Sequence, residues 1–120
     1  MASIIEKEAS YKDDKALISS VFHNRLKFGY VLGADSTINF ITGQTSKNLN
    51  TQIDSEYNTY KNLGLPPTPI NNPQIDSIVA AIKPKDSNYF FFFHDDEGNT
   101  YYSETDYEHT QKVCAIRGCN

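Results

Sequence analysis

The sequence predicts a single α+β domain in which several short helices pack on a small antiparallel sheet. The chain has 120 residues, which is the size of one domain and enough to bury a core without metals. Helical spacing of apolar residues recurs in several segments, and two strand-like runs flank a turn near the C-terminus. Neither repeats nor a linker interrupt this pattern, so residues 1–120 are expected to form one domain.

Two helices are expected at the start of the chain. The first covers about Met1 to Ser10, and the second runs from about Asp13 to Phe28. Asp13 or Asp14 provides the N-cap of the second helix, and Gly29 follows its end.

The middle of the chain alternates short helices with loops. Asp35 is the expected N-cap of a helix through Phe40 that Gly43 closes, and a polar loop follows over residues 43–56. The proline-rich segment from Gly64 to Pro73 predicts a stiff extended loop, because proline fixes φ and excludes helix. We expect this loop to border a substrate groove and to present Tyr60 to it.

The last third combines helix and sheet. Asn72 and Pro73 predict the N-cap and first residue of a helix that ends before Pro84. Residues 88–94 and 100–103 predict two strands joined by a turn. A capping box formed by Thr105 and Glu108 predicts a final helix to about Ile116.

Composition excludes several classes of function. A net charge of −4 is unfavourable for binding nucleic acid, which needs clustered Lys and Arg. Two cysteines and three scattered histidines do not form a zinc motif, and no glycine-rich phosphate loop or serine nucleophile motif is present. The 15 Tyr and Phe residues indicate either an aromatic core or a groove that packs rings against sugars. Cys114 and Cys119 are expected to be reduced thiols or, in an exported domain, a small disulfide.

The first helix carries two carboxylates, Glu6 and Glu8, that are candidates for acid–base chemistry. At about 100° per residue they flank opposite edges of the apolar face of that helix, so either side chain could border a buried site. The angles therefore do not choose between them, and a solvated helix face is the plain alternative for both.

Several collinear motifs give the chain a specific resemblance. They span nearly its whole length and are similar, in order, to blocks of the YceG-like (MltG) family of endolytic murein transglycosylases. The blocks are ASIIEKEA at residues 2–9, SVFHNRL at 20–26, ADST at 34–37, DSEYNTY at 54–60, GLPPTPINNP at 64–73 and EH at 108–109.

The resemblance implies an activity and site residues. It implies cleavage of peptidoglycan glycan strands at N-acetylmuramic acid, within the strand, by one Glu that acts as acid and then as base. The first Glu of the motif, Glu6, is the expected catalytic residue. Asn24, Asp35, Tyr57 and Asn58 are expected to line or brace the groove; backbone bonding, helix capping and core packing are their structural alternatives.

The resemblance also bears on location, partners and rival functions. Family members are expected at the extracytoplasmic face of the bacterial membrane, through a membrane helix and a LysM-like module that this chain lacks. Peptidoglycan synthases are candidate partners, and neither a cofactor nor a metal is expected. Gly33, Ala34 and Thr68 depart from common family residues. A hydrolytic muramidase and a non-catalytic peptidoglycan-binding module are the alternatives. Some family members are named aminodeoxychorismate lyases, but that reaction needs pyridoxal phosphate, and the sequence gives no support for a Schiff-base lysine or a phosphate site.

Overall fold

A computed structural model describes residues 1–43 and 49–119, and these residues form an α+β domain. Residues 44–48, part of the loop expected at 43–56, lie outside the described residues. In chain order the elements are α1 (Ala2–Glu8), a 3₁₀ turn (Lys12–Asp14), α2 (Lys15–Lys27), α3 (Asp35–Thr42), α4 (Ile75–Ile82), β1 (Phe91–His94), β2 (Thr100–Ser103) and α5 (Asp106–Arg117).

The core lies between α1, α2, α3 and α4. Ile4 and Ile5 of α1 are fully buried, and so are Ile18 and Phe22 of α2. The Phe22 ring packs edge-on against Phe92 of β1, with ring centroids 5.7 Å apart, which joins the helical core to the sheet. Burial of these apolar side chains is the main stabilising contribution and holds α1 rigidly at the centre of the domain.

The sheet is a two-stranded antiparallel hairpin. Phe91 pairs with Ser103 and His94 pairs with Thr100, and the connecting turn is closed by the Asp95 N–H, which donates to the Asn99 carbonyl over 3.0 Å. Phe91 and Phe93 point to the same face because side chains alternate along a strand. That face receives α5, since the His109 ring of α5 stacks on Phe91.

Helix ends follow the expected chemistry in some places. Gly43 ends α3 in the left-handed conformation at φ +71°, where a residue with a Cβ would be strained. Thr105 caps α5, and its Oγ1 accepts a hydrogen bond from the Glu108 N–H over 3.1 Å.

The N-caps expected for α3 and α4 are wrong, by one residue and by two residues respectively. Ala34 rather than Asp35 occupies the N-cap of α3, and Asp35 is the first helical residue. Helix α4 begins at Ile75 with Gln74 as N-cap, so Asn72 and Pro73 precede the helix instead of opening it. A tertiary contact explains the second shift, because the Gln74 N–H donates to the side chain of Glu6.

The C-terminal cysteines are joined. Cys114 lies in α5 and forms a disulfide with Cys119, five residues further along the chain. Of the two states that the sequence left open, reduced thiols and a small disulfide, the structure has the disulfide. The closed loop contains Arg117, and it therefore restrains the last turn of α5.

Candidate functional site

The two carboxylates of α1 point to different sides of the molecule. Residues two apart on a helix are separated by about 200°, so Glu6 and Glu8 cannot share an environment. The core that buries Ile4 and Ile5 fixes this orientation.

Glu6 is engaged at the start of α4. Its Oε1 accepts hydrogen bonds from the Gln74 N–H over 2.9 Å and from the Ser77 hydroxyl over 2.8 Å. Lys15 Nζ lies 3.6 Å from the same oxygen. The Gln74 and Ser77 hydrogen bonds lower the pKa of Glu6, and Lys15 acts in the same direction. An ionised carboxylate at a helix N-terminus is also favoured by the helix dipole.

Glu8 occupies the opposite environment. Its Oε2 accepts a hydrogen bond from the Ser36 N–H, in the first turn of α3, over 3.0 Å. Burial raises the pKa of Glu8, whereas hydrogen bonds from Ser36 act in the opposite direction. Asp35 raises the pKa further by its negative charge. A carboxyl group in this setting favours the protonated state.

A groove of about 410 Å³ contains Glu8. Its walls come from the end of α1, the segment before α3, strand β1 and helix α5, and Glu6 is not part of its lining. A wider, apolar depression lies along α4, but it contains neither glutamate. The groove lining includes Glu8, Arg25, Gly33, Asp35, Tyr60, Phe91, Phe93, His94, Asp106, His109 and Arg117.

Asp35 is brought into this groove beside Glu8. The Tyr60 hydroxyl donates a hydrogen bond to Asp35 Oδ1. Burial raises the pKa of Tyr60, and its bond to Asp35 adds to the shift, so the phenol keeps its proton. The groove therefore presents a protonatable carboxyl group and a second carboxylate that is held by a phenol.

The other expected site residues lie behind the groove. Asn24 Nδ2 donates to the carbonyls of Ser87 and Tyr89, each over 2.9 Å, and so ties α2 to the segment that leads into β1. This is a bracing contact. The alternative role for Asn24 was a hydrogen bond to the backbone of its own helix, but the carbonyls it binds belong to the loop before β1.

Tyr57 and Asn58 stabilise the loop that carries Tyr60. The Tyr57 hydroxyl lies 2.9 Å from Thr68 Oγ1, and its ring packs on Phe40. Asn58 is completely buried, and its Oδ1 accepts a hydrogen bond from the Tyr60 N–H over 2.9 Å. Neither residue lines the groove, and both act on it through the position of Tyr60.

The proline-rich loop does not border this groove. The Ile70 N–H donates to Ser3 Oγ over 3.1 Å, and Asn71 Nδ2 donates to the Ser3 carbonyl over 2.8 Å. These bonds place the loop against the first turn of α1, whereas Glu8 is at the last turn. No residue from Gly64 to Pro73 is part of the groove lining. The loop therefore lies apart from the groove that contains Glu8, whereas Tyr60 lines that groove. That the loop borders the substrate groove stays a prediction.

Several groove residues were not identified from the sequence. His94 Nε2 donates to the Glu8 carbonyl over 2.7 Å and so fixes the end of α1. Arg25 donates through Nε to the Phe90 carbonyl and through Nη1 to the Leu32 carbonyl. The sequence placed His94 in the hairpin and gave no signal for its contact with α1, which depends on folding.

The fold and the groove define a small α+β domain with a partly buried carboxyl group at the end of its first helix. The sequence matches the YceG-like family over residues 1–115, and the chain belongs to that family. Among the described residues, no helix is long and apolar enough to cross a membrane, and no group of three His, Cys, Asp or Glu side chains is placed to hold a metal ion.

Named relatives agree with this assignment. The chain is 40% identical to an endolytic murein transglycosylase of Bacillus subtilis and 35% identical to one of Streptococcus pneumoniae, over 92% and 94% of its own length. It spans only 32% and 22% of those two proteins. A crystal structure of a yceG-like protein from Listeria monocytogenes is similar, with a TM-score of 0.88 and 41% identity over 93% of this chain and 38% of that one.

Proposed function

We propose that this chain cleaves murein glycan strands as an endolytic lytic transglycosylase, with Glu8 as the general acid and base. The observation that carries the proposal is the environment of Glu8. It is a partly buried carboxyl group with a raised pKa at the wall of a groove that also contains Asp35. The names of the relatives supply the substrate class.

The choice of Glu8 differs from the residue that the sequence resemblance implies. A general acid must hold a proton near neutral pH, and the upward direction of the Glu8 pKa shift, caused first by burial, favours that state. Glu6 has the reverse environment, because hydrogen bonds from Gln74 and Ser77 stabilise its charge. Its two hydrogen bonds connect α1 to the start of α4, and its ion pair with Lys15 connects α1 to α2; all three contacts engage Oε1. Catalysis by Glu6 stays a prediction that the matched variants below can test.

The proposed reaction needs only the carboxyl group and the sugar. Glu8 donates its proton to the glycosidic oxygen as the bond from that oxygen to C1 of muramic acid breaks. The 6-hydroxyl of the same sugar attacks C1 and returns a proton to the Glu8 carboxylate, which yields a 1,6-anhydro end. Intramolecular attack benefits from a high effective concentration. The Asp35 carboxylate, held by Tyr60, can stabilise positive charge at C1 in the transition state.

One observation favours a second candidate, a muramidase. Hydrolytic glycosidases use a pair of carboxylates, and the groove contains both Glu8 and Asp35. In that reaction, Asp35 would activate water or act as the nucleophile. A third candidate, a non-catalytic peptidoglycan-binding module, is an outcome of the same experiment.

Mass spectrometry of digested murein distinguishes these functions. A transglycosylase releases anhydro products that are one water lighter than hydrolysis products and resist borohydride. Reducible muramic acid ends would instead show a muramidase. If the chain binds strands that it does not cut, the binding module is correct.

The family assignment supports two further proposals about the whole protein. We propose that the whole protein acts at the extracytoplasmic face of the bacterial membrane, where murein lies, and that peptidoglycan synthases are its candidate partners. Co-purification from membranes with a synthase, lost when cells are depleted of that synthase, would test the second proposal.

A further inference from the structure

Two arginines line the groove, Arg25 from α2 and Arg117 from α5. The centre of the Arg25 guanidinium lies 5.1 Å from the centroid of the Phe91 ring, and that of Arg117 lies 5.2 Å from the centroid of Phe93. Phe91 and Phe93 are two residues apart on β1 and so share one face, with about 7 Å between them along the strand. Each guanidinium group therefore packs on one ring of this pair.

Electrostatics independently indicate that the arginines act on one location. His109 packs against both rings, stacked on Phe91 and edge-on to Phe93. Burial lowers the pKa of His109, and the positive charges of Arg25 and Arg117 add to that shift, while Asp106 opposes it. His109 is therefore within range of both guanidinium groups.

Both guanidinium groups keep hydrogen-bond donors for a ligand. Arg25 uses Nε and Nη1 on the carbonyls of Phe90, Val31 and Leu32, and its Nη2 has no partner among the described residues. Arg117 uses Nη2 on the His94 carbonyl, which leaves its Nε and Nη1 without partners in the part of the chain described. Arginine donors in this arrangement match the two oxygens of a carboxylate.

The groove lining carries both signs of charge. Its carboxyl groups belong to Glu8, Asp35 and Asp106, and its cationic side chains are Arg25 from α2 and Arg117 from α5. Gly33, at φ +59°, lies beside Arg25, and a Cβ there would be 3.4 Å from Arg25 Nη1 and from the Tyr60 ring. The absence of a side chain at this position leaves the Arg25 side of the groove open.

We propose that Arg25 and Arg117 form a subsite for a carboxylate carried by the muramic acid residues of the strand. The inference rests on the proposed function, which supplies a glycan whose muramic acids carry acidic peptide stems. The stem carboxylates are the expected ligand, and the lactyl carboxylate that remains after removal of the stem is the other source of the same chemistry. The subsite sets which strands bind, whereas Glu8 cuts them.

The test measures binding by the 120-residue chain in a Glu8→Gln background, so that cleavage does not interfere. Three probes are compared: peptide-bearing murein strands, the same strands with carboxylates amidated by carbodiimide and ammonia, and strands stripped of stems by an amidase. We expect amidation to weaken binding about tenfold, as for loss of a charged hydrogen bond. Stripped strands that bind like amidated ones identify the stem carboxylates as the ligand, and stripped strands that bind like native ones show that the freed lactyl carboxylate occupies the subsite equally well.

Arg117→Gln is the principal variant, and Lys112→Gln is its matched control. Both remove one positive charge from α5, but Lys112 donates to the Tyr102 carbonyl and does not line the groove. Arg117→Gln should lose about tenfold in affinity for native strands and become insensitive to amidation, whereas Lys112→Gln keeps the sensitivity. If Arg117→Gln is poorly folded by circular dichroism, Arg117→Lys serves instead, with an intermediate loss, because it keeps the charge without the fork.

The outcomes separate this subsite from the proposed function. Equal affinity for native and amidated strands would overturn the subsite, even if the protein cuts murein. So would equal losses in Arg117→Gln and Lys112→Gln. If the Glu8-containing chain cuts no strand yet its binding is sensitive to amidation through Arg117, the subsite stands and the transglycosylase assignment fails.

Discussion

The two glutamates of α1 are separated by one lysine in the sequence, and they face chemically opposite surroundings. Glu6 receives an N–H, a hydroxyl and a nearby ammonium group, which together stabilise its charge. Glu8 is desolvated between α3 and the groove, which favours its neutral form. The comparison teaches that one helical turn can give two carboxyl groups opposite protonation preferences. The rotation of about 200° around the helix axis between the two residues places their side chains in these different surroundings.

The largest expected effect separates the two residues by activity. Glu8→Gln should reduce the rate of murein cleavage by about 10²–10⁴-fold, because glutamine keeps the shape of the side chain but cannot donate the proton. Glu6→Gln should keep most of the activity of folded protein. Turnover on purified murein, normalised to the folded fraction, measures both. An inactive, well-folded Glu6→Gln with an active Glu8→Gln would restore the mapping that the sequence resemblance implies.

A second matched pair tests the groove side of the comparison. Tyr60→Phe removes the hydrogen bond to Asp35 and should lower kcat/KM about tenfold, the usual range for a bond to a charged group. Tyr57→Phe removes a bond to Thr68 outside the groove and should change kcat/KM less than twofold. Steady-state kinetics on solubilised strands give both values. Equal losses would show that the hydroxyls support the loop and not the chemistry.

The pH dependence of stability should have opposite signs for the two glutamates. The raised pKa of Glu8 means that the folded protein binds more protons than the unfolded chain, so its contribution is present at acid pH and is lost as pH rises through the folded pKa. The lowered pKa of Glu6 makes its contribution present above the unfolded pKa and lost as pH falls through the folded value.

Urea unfolding at several pH values measures this difference. At pH 7, Glu8→Gln should raise the free energy of unfolding and Glu6→Gln should lower it. Both differences should shrink at about pH 3, where the unfolded carboxyl groups are protonated. Differences of the same sign at pH 7 would contradict the two environments described above.

The smallest effect is expected at the disulfide, which is remote from both glutamates. Replacing Cys114 and Cys119 by Ser should lower the cleavage rate by less than about tenfold, or 1.4 kcal/mol of barrier. The disulfide restrains the turn of α5 that carries Arg117, so we expect the double replacement to act through a modest loss of affinity for the glycan strand. A loss of more than tenfold in protein that stays folded would place the α5 terminus within the catalytic machinery.

Much of the fold was predictable from local pattern. Each expected helix and both strands are present, because apolar spacing, the Thr105 cap and the left-handed Gly43 act within a few residues of the chain. The boundaries that were wrong, at α3 and α4, are those where a long-range contact competes with a local cap. The start of α4 is one example, since Glu6 accepts a hydrogen bond from a residue 68 positions away.

The sequence by itself determined the α+β class, the family and the short list of two carboxylates on one helix. Only the tertiary structure decided the surroundings of those carboxylates, because desolvation and hydrogen bonding depend on the elements that pack against α1. The contacts that set the environment of Glu8 come from α3 and from His94, 28 and 86 positions away along the chain. Helical periodicity fixes the angle between Glu6 and Glu8, but it carries no information on which side receives the groove.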